Sequence, residues 1–260
     1  GKRRVSVAKT ATVKKATAKK AAAKKAVSKK GTAKKGSPKK AAPRKTSRDT
    51  TTTPLSIPRR NGWQNTLSAR KTAILEYNQQ MAAKRDDWRA KNAGFYDDDM
   101  AFLKFLIPEG SRILDLGCGT GAQLAGLKPS FGMGVDFSAN MVDVARSTYP
   151  EHEYPELQFR VGDVEQLNSL RQDLQGPYDF ILLSDTLGFV DDCQAMLEQI
   201  HDLCDEETRI VITYYSHLWE PVLRAGEATG LKMPQPEVNF LSPADISNIL
   251  GLSDFDVIKT

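Results

Sequence analysis

Short apolar runs alternate with amphipathic stretches through the second half of the chain, and this alternation constrains the fold more than any other feature. The apolar runs predict five strands, at Arg112–Asp115, Gly132–Asp136, Leu157–Val161, Tyr178–Ser184 and Arg209–Tyr214. The stretches between them predict helices at Ala122–Leu127, Ala139–Thr148, Val164–Leu174 and Ala195–Leu203. Because strands that alternate with helices form parallel sheets, the sequence predicts an α/β fold. We expect a doubly wound, mainly parallel sheet with helices on both faces.

The charge of the chain is divided between two chemically different segments. Residues 1–48 contain 19 Lys and Arg and no Asp or Glu, whereas residues 49–260 contain 18 basic and 32 acidic residues. A tail of charge +19 thus precedes a body of charge −14. Lysine pairs recur every five residues between Lys14 and Lys40. Five residues turn a helix by about 500°, so the pairs leave no apolar stripe to bury, and we expect a disordered tail.

Composition further divides the chain into three regions. The stretch Thr50–Pro58 is rich in Thr and Pro and has the composition of a linker. Helical spacing of apolar residues predicts one helix at Trp63–Lys91 and a short one at Asp98–Leu106. The predicted regions are a disordered basic tail and linker at residues 1–60, a helical cap at 61–108 and the α/β core at 109–260.

The composition also limits the cellular compartment and the metal chemistry. No apolar run reaches the roughly 18 residues that suggest a membrane span, and no apolar segment near the N-terminus resembles a secretory signal. The three cysteines, Cys118, Cys193 and Cys204, form no Cys-x-x-Cys pair, and the chain has only three histidines. We therefore expect no transmembrane segment, no metal site and a reduced, cytoplasmic compartment.

A glycine-rich turn follows the first strand of the core, with the sequence Asp115-Leu116-Gly117-Cys118-Gly119-Thr120-Gly121. Glycines let the backbone approach a ligand closely, and the helix that follows presents free N–H groups. Two kinds of ligand fit this turn. Gly117, Gly119 and Ala122 satisfy the dinucleotide pattern G-x-G-x-x-G/A, which is typical of NAD(P)-binding oxidoreductases. In that interpretation Asp136 would be the acid that binds the ribose.

Asp115 distinguishes between the two kinds of ligand. A carboxylate two residues before the first glycine would repel the pyrophosphate of a dinucleotide, whereas it would attract the α-ammonium of an amino-acid moiety. The turn therefore favours a cofactor in which a cationic methionine is joined to adenosine.

With three later motifs added, the chain resembles the class I S-adenosylmethionine-dependent methyltransferases over about residues 95–260. The first motif of that family matches Asp115–Gly121. The other three match Gly134–Ser138, Val161–Val164 and Tyr178–Asp185, each at the carboxyl end of a predicted strand. The resemblance implies a Rossmann-like fold and S-adenosylmethionine as the cofactor.

The resemblance also implies the roles of individual residues. Asp136 is expected to hold both ribose hydroxyls and Phe137 to flank the adenine. Asp163 is expected to accept from the adenine amino group, with the Val164 N–H facing the ring, and Ser184 to lie beside the methionine end. The expected cofactor-binding residues are Asp115, Gly117, Cys118, Gly119, Gly121, Asp136, Phe137, Asp163, Val164 and Ser184.

The methyl acceptor is constrained less closely. A general base is needed only if the acceptor loses a proton on attack, and the candidates are Asp185 after the fourth strand, Tyr214 at the end of the fifth and His217 after it. The chain lacks the Asp/Asn-Pro-Pro-Tyr motif of the family's DNA adenine enzymes and the Pro-Cys motif of its cytosine enzymes. Because the acidic body also repels a phosphate backbone, a small-molecule or lipid-like acceptor is favoured over a nucleobase.

Two narrower resemblances concern the acceptor and the partners. The segments Tyr214–Pro221 and Leu231–Pro236 resemble a bacterial subfamily of small-molecule methyltransferases, which implies a glycan-linked or glycolipid acceptor. The Lys/Ala repeats of residues 1–48 resemble linker-histone tails. Such a tail can contact DNA or RNA, bind an anionic lipid surface or lie on the acidic body. A second hypothesis is thus a nucleic-acid-binding protein whose Rossmann body senses a nucleotide, although the acids of the four motifs favour the methyltransferase.

The last expectation concerns the edge of the sheet. The family's sheet has seven strands, and its last two form an antiparallel hairpin. Here the sequence predicts a helix at Ser242–Leu250 and a single strand at Phe255–Lys259, and it stops at Thr260. We therefore expect the hairpin to be truncated, Arg209–Tyr214 to lack a neighbour on that side and residues 255–259 to be poorly paired.

Overall fold

Parallel strands dominate the part of the chain that the computed structural model describes, which is residues 3–9, 67–174, 176–214, 239 and 241–259. In chain order the strands are β1 Arg3–Lys9, β2 Arg112–Leu116, β3 Phe131–Asp136, β4 Leu157–Val161, β5 Phe180–Ser184, β6 Arg209–Tyr214 and β7 Phe255–Lys259. They form one sheet in the order β4-β3-β2-β5-β6-β1-β7, with parallel pairing between neighbours.

Helices cover both faces of this sheet. They are α1 Ala69–Lys91, α2 Ala93–Leu106, α3 Ala122–Gly126, α4 Ala139–Thr148, α5 Cys193–His201 and α6 Pro243–Leu252. Successive strand residues belong to different core clusters, because side chains alternate across a sheet. Leu114 packs in the cluster that contains α5 and α6 residues, and Ile113 packs in the cluster that contains α2, α3 and α4 residues.

The predicted fold class and the five predicted core strands are confirmed. Val164–Leu170 differs from the prediction, because it forms a 3₁₀ helix rather than an α-helix continuing to Leu174. Gln166 within it has φ −129° and ψ 43°, which are not helical angles and interrupt the helical hydrogen bonding.

The N-terminal segment Arg3–Lys9 corrects two predictions. We expected it to belong to a disordered tail, but it forms β1 between β6 and β7. Val5 pairs with Ile210 on one side and with Val257 on the other. The alternation Val5-Ser6-Val7 has the period of a strand, and a strand at this position satisfies backbone groups of both neighbours. We expected β6 to have an unpaired edge and residues 255–259 to be poorly paired, and both predictions are therefore wrong. Residues 10–66 lie outside the described part.

Candidate functional site

The glycine-rich turn follows the carboxyl end of β2, and its backbone has a conformation that glycine favours. Gly117, Gly119 and Gly121 have φ values of 88°, 55° and 78°. A Cβ on Gly121 would lie 2.6 Å from Cε1 of Phe159 and one on Gly117 only 2.4 Å from Oγ1 of Thr186, whereas one at Gly110, with φ 81°, would meet nothing within 4 Å. The glycines of the turn thus meet both a backbone and a packing requirement.

Asp136, at the end of β3, connects this turn to the start of α4. Its Oδ2 accepts from the Gly119 N–H and its Oδ1 from the Ser138 N–H, both at 2.9 Å. Burial raises the pKa of the Asp136 carboxyl, and the two backbone donors oppose that shift. Each carboxylate oxygen has a further lone pair, so Asp136 can hold the loop and still accept from a ligand hydroxyl.

Asp115, near the end of β2, is the most unusual group of the site. It is 1% exposed, and neither carboxylate oxygen has a hydrogen-bond partner within the described part of the chain. Burial and the neighbouring Asp136 carboxylate raise its pKa to about 7, and Arg89 on α1 opposes that shift. Because a buried, unpaired carboxylate is costly, its retention here indicates a cationic ligand. An α-ammonium is such a cation, and it fits beside the glycine turn.

Asp163, after β4, is bound by a residue that sequence reasoning missed. The Nζ of Lys71 lies 2.7 Å from Oδ1 and 2.5 Å from Oδ2 of Asp163. The same Nζ also contacts the Glu165 carboxylate. The Glu165 N–H donates to Asp163 Oδ1 at 3.0 Å, so that Asp163 caps the 3₁₀ helix. No motif surrounds Lys71, so the sequence carried no signal for this contact.

The remaining predicted cofactor residues lie at the same edge of the sheet. Cys118 and Val164 are buried, whereas Phe137 and Ser184 are partly exposed. Burial and the carboxylates of the site raise the pKa of the Cys118 thiol well above its usual range. The Ser184 hydroxyl lies 3.0 Å from Oγ1 of Thr213.

Two of the three predicted general bases follow neighbouring strands at this edge. Asp185, after β5, has φ 54°, which is rare for a residue with a side chain and typical of functional sites. Tyr214, at the end of β6, is 5% exposed, and its hydroxyl has no hydrogen-bond partner among the described residues. Burial raises the pKa of that hydroxyl. His217 lies outside the described residues, so its role stays a prediction.

Helix α1 crosses this edge of the sheet. Near its N-terminus the Arg70 guanidinium donates to Asp191 and to the Gly188 carbonyl, both beyond β5. Towards its C-terminus Asp86 accepts from the Thr120 hydroxyl in the glycine turn at 2.8 Å. The helix therefore spans from the ends of β4 and β5 to the end of β2.

Comparisons with known proteins agree with this geometry. A family model described as a methyltransferase domain matches residues 107–234. The chain is 27% identical over 157 residues to demethylmenaquinone methyltransferase of Lactococcus lactis, covering 58% of this chain and 55% of that protein. It is 33% identical over 104 residues to trans-aconitate 2-methyltransferase of Deinococcus radiodurans, covering 38% and 36% of the two chains. The chain thus spans about half or less of the length of these curated relatives.

A solved structure gives the same fold. Magnesium protoporphyrin IX methyltransferase of Synechocystis, with bound SAH (S-adenosylhomocysteine), has a TM-score of 0.51 and 22% identity to this chain, over 70% of this chain and 88% of that one. Residues 107–234 match the methyltransferase-domain family model, and the solved structure shares the fold. These findings confirm the predicted class, the class I S-adenosylmethionine-dependent methyltransferases, and the predicted cofactor, S-adenosylmethionine.

Within the described residues, no helix is long and apolar enough to cross a membrane. In that same part of the chain, His, Cys, Asp and Glu form no group of three or more that is able to hold a metal ion.

Proposed function

We propose that this chain transfers a methyl group from S-adenosylmethionine to a small-molecule acceptor at the carboxyl edge of its sheet. The observation that carries the proposal is Asp115, a carboxylate buried without a hydrogen-bond partner in the described structure beside a glycine turn. A zwitterionic amino-acid end supplies the cation that this carboxylate needs.

The family resemblance assigns the other contacts of the cofactor. Asp136 would accept from the ribose hydroxyls with its remaining lone pairs, and Phe137 would flank the adenine. Asp163 would accept from the adenine amino group, with the Val164 N–H facing the ring. When bound, S-adenosylmethionine supplies the methyl group on a sulfonium, so the protein mainly positions the acceptor and excludes water.

A general base is required only for an acceptor that loses its proton on attack. Asp185 and Tyr214 are two candidates for this role, and the neighbouring strands β5 and β6 support them, with Asp185 partly exposed and Tyr214 buried. His217 is a third candidate from the sequence. The proton moves from the acceptor to whichever of these groups faces the attacking atom.

We propose that the acceptor is a glycan-linked or lipid-like small molecule. The named relatives are methyltransferases of demethylmenaquinone, trans-aconitate and magnesium protoporphyrin IX, so the domain family serves small acceptors of different shapes. The body charge of −14 disfavours a nucleic acid as the substrate. Methylation in a reduced, cytoplasmic compartment remains a prediction.

A pH titration tests the proposed contact of Asp115. Because its pKa is raised to about 7, the carboxyl is mostly protonated at pH 6 and cannot hold an ammonium there. We expect calorimetry to show an affinity for SAH that rises about tenfold between pH 6 and pH 8, with a proton released on binding. The unliganded fold should lose stability as the pH rises from 3.8 through about 7, because burial favours the protonated carboxyl.

Asp115→Asn is the matched control for this titration. It keeps the size of the side chain but removes the titrating charge, so its SAH affinity should be low and independent of pH. A wild-type SAH affinity that stays constant from pH 6 to pH 8 would contradict the assignment of Asp115.

We further propose that residues 1–48 contact nucleic acid without reading its sequence. The support is the concentration of 19 basic residues without one acid, since such a segment displaces the counterions of a phosphate backbone. Fifteen of these basic residues lie at positions 10–48, after β1, so the proposed contact does not depend on the strand Arg3–Lys9.

A further inference from the structure

The adenine end of the site is closed by helix α1. Asp163 is 2% exposed, Asp136 7% and Val164 9%, although all three are assigned to the nucleoside. At the methionine end Asp115 is equally buried, at 1% exposed, but Gly117 and Asp185 beside it are partly exposed. A ligand that reaches Asp163 must therefore displace a protein group, and the group that covers it is the Lys71 side chain.

Lys71 occupies the hydrogen-bonding positions that an adenine amino group requires. Its Nζ is within 2.7 Å of both Asp163 carboxylate oxygens, and it is itself only 6% exposed. Asp163 already accepts a third bond, from the Glu165 N–H. Three of the roughly four acceptor positions of this carboxylate are thus occupied. Because Asp163 is only 2% exposed, the amino group of adenine reaches the remaining position only if Lys71 moves away.

The other side-chain contacts of the first turn of α1 are less buried, and they include the part-buried bond from Arg70 to the Gly188 carbonyl. Asp191 accepts from the Ser68 hydroxyl and from the Arg70 guanidinium, each at 2.6 Å, at exposed positions. Exposed pairs of this kind contribute little to stability. The pair of Lys71 and Asp163 is thus the most buried polar contact of this turn.

We propose that Lys71 is a latch that must release Asp163 before the cofactor's adenine can bind. The inference rests on the proposed function, which assigns Asp163 to the adenine amino group. On release, the Lys71 ammonium leaves both Asp163 and Glu165 and becomes accessible to solvent. The first turn of α1 then lifts from the ends of β4 and β5. Asp163, which had bound the Lys71 ammonium, accepts a hydrogen bond from the adenine amino group instead.

Lysine acylation of the wild-type chain tests the latch without altering the fold. A water-soluble amine-reactive ester is applied with and without saturating SAH, and peptide masses report the rate at Lys71. Lys84 lies on the same helix and is exposed, so it serves as the internal reference. We expect SAH to raise the acylation rate at Lys71 at least about fivefold relative to Lys84. The reason is that SAH shifts the population of molecules from the closed latch to the open one.

A substitution provides the second measurement. Lys71→Gln removes the charge but keeps a donor toward Asp163, and we expect it to tighten SAH binding about tenfold, since the cost of opening the latch is removed. Lys84→Gln should leave the affinity unchanged. Two results would overturn the latch alone. One is a Lys71 side chain that saturating SAH leaves protected from acylation. The other is a Lys71→Gln variant that binds SAH no more tightly than the wild type. Absence of SAH binding by the wild type at pH 8 overturns the proposed function as well.

Discussion

Replacing Asp136 by Ala is expected to lower the affinity for S-adenosylhomocysteine at least about tenfold, because bonds from a carboxylate to buried donors contribute about 1.5–3 kcal/mol each. The substitution acts in two ways. It removes the proposed acceptor of the ribose hydroxyls, and it leaves the Gly119 and Ser138 N–H groups without their partner. The glycine turn then loses its connection to α4 as well as its contact with the ligand.

Asp143→Ala is the control for this substitution. Asp143 lies on α4, the helix that follows Asp136, but it is exposed, so its loss should change neither cofactor affinity nor thermal stability appreciably. Melting curves of both variants separate an unfolded protein from a folded one that no longer binds. Wild-type affinity in a folded Asp136→Ala protein would remove Asp136 from the site.

Replacing the paired lysines between Lys14 and Lys40 with Gln should abolish retardation of DNA in a gel. Each phosphate contact contributes a slope of about −0.9 to the dependence of log affinity on log salt. The wild-type complex should therefore weaken steeply as salt rises, and it should not distinguish between DNA sequences. The substitutions leave Arg3–Lys9 unchanged, so β1 keeps its place between β6 and β7.

The matched control is a chain whose residues 10–48 are shuffled at constant composition. Polyelectrolyte binding depends on charge density and not on order, so the shuffled tail should bind DNA like the wild type. Retardation that survives the Lys-to-Gln substitutions would place the nucleic-acid surface elsewhere, and a salt-insensitive complex would argue against phosphate contacts. SAH affinity should be the same in all three chains.

The sequence predicted the core strands of the sheet well because they depend on local patterns. Each core strand is a short apolar run between glycine, proline or polar residues, so β4 and β6 match the predicted bounds residue for residue. Asp115 and Asp136 follow apolar strands at fixed distances from glycines, and parallel strands bring their carboxyl ends to one edge.

Long-range contacts are the part that local patterns did not predict. Lys71 meets Asp163 across 92 positions of the chain, and nothing in its helical stretch separates it from exposed lysines such as Lys84. Strand β1 was missed for a similar reason. Its seven residues adjoin a lysine-rich tail, and their pairing depends on partners more than 200 positions away.

The central claim is that the glycine turn after β2 binds the amino-acid end of S-adenosylmethionine and not the pyrophosphate of a dinucleotide. Calorimetric titration of the wild-type chain at pH 8 with SAH, and in parallel with NAD, tests it most directly. The buried Asp115 carboxylate attracts an ammonium and repels a pyrophosphate. We expect SAH to bind and NAD to produce no measurable heat of binding. Tighter binding of NAD than of SAH would contradict the account and favour an oxidoreductase.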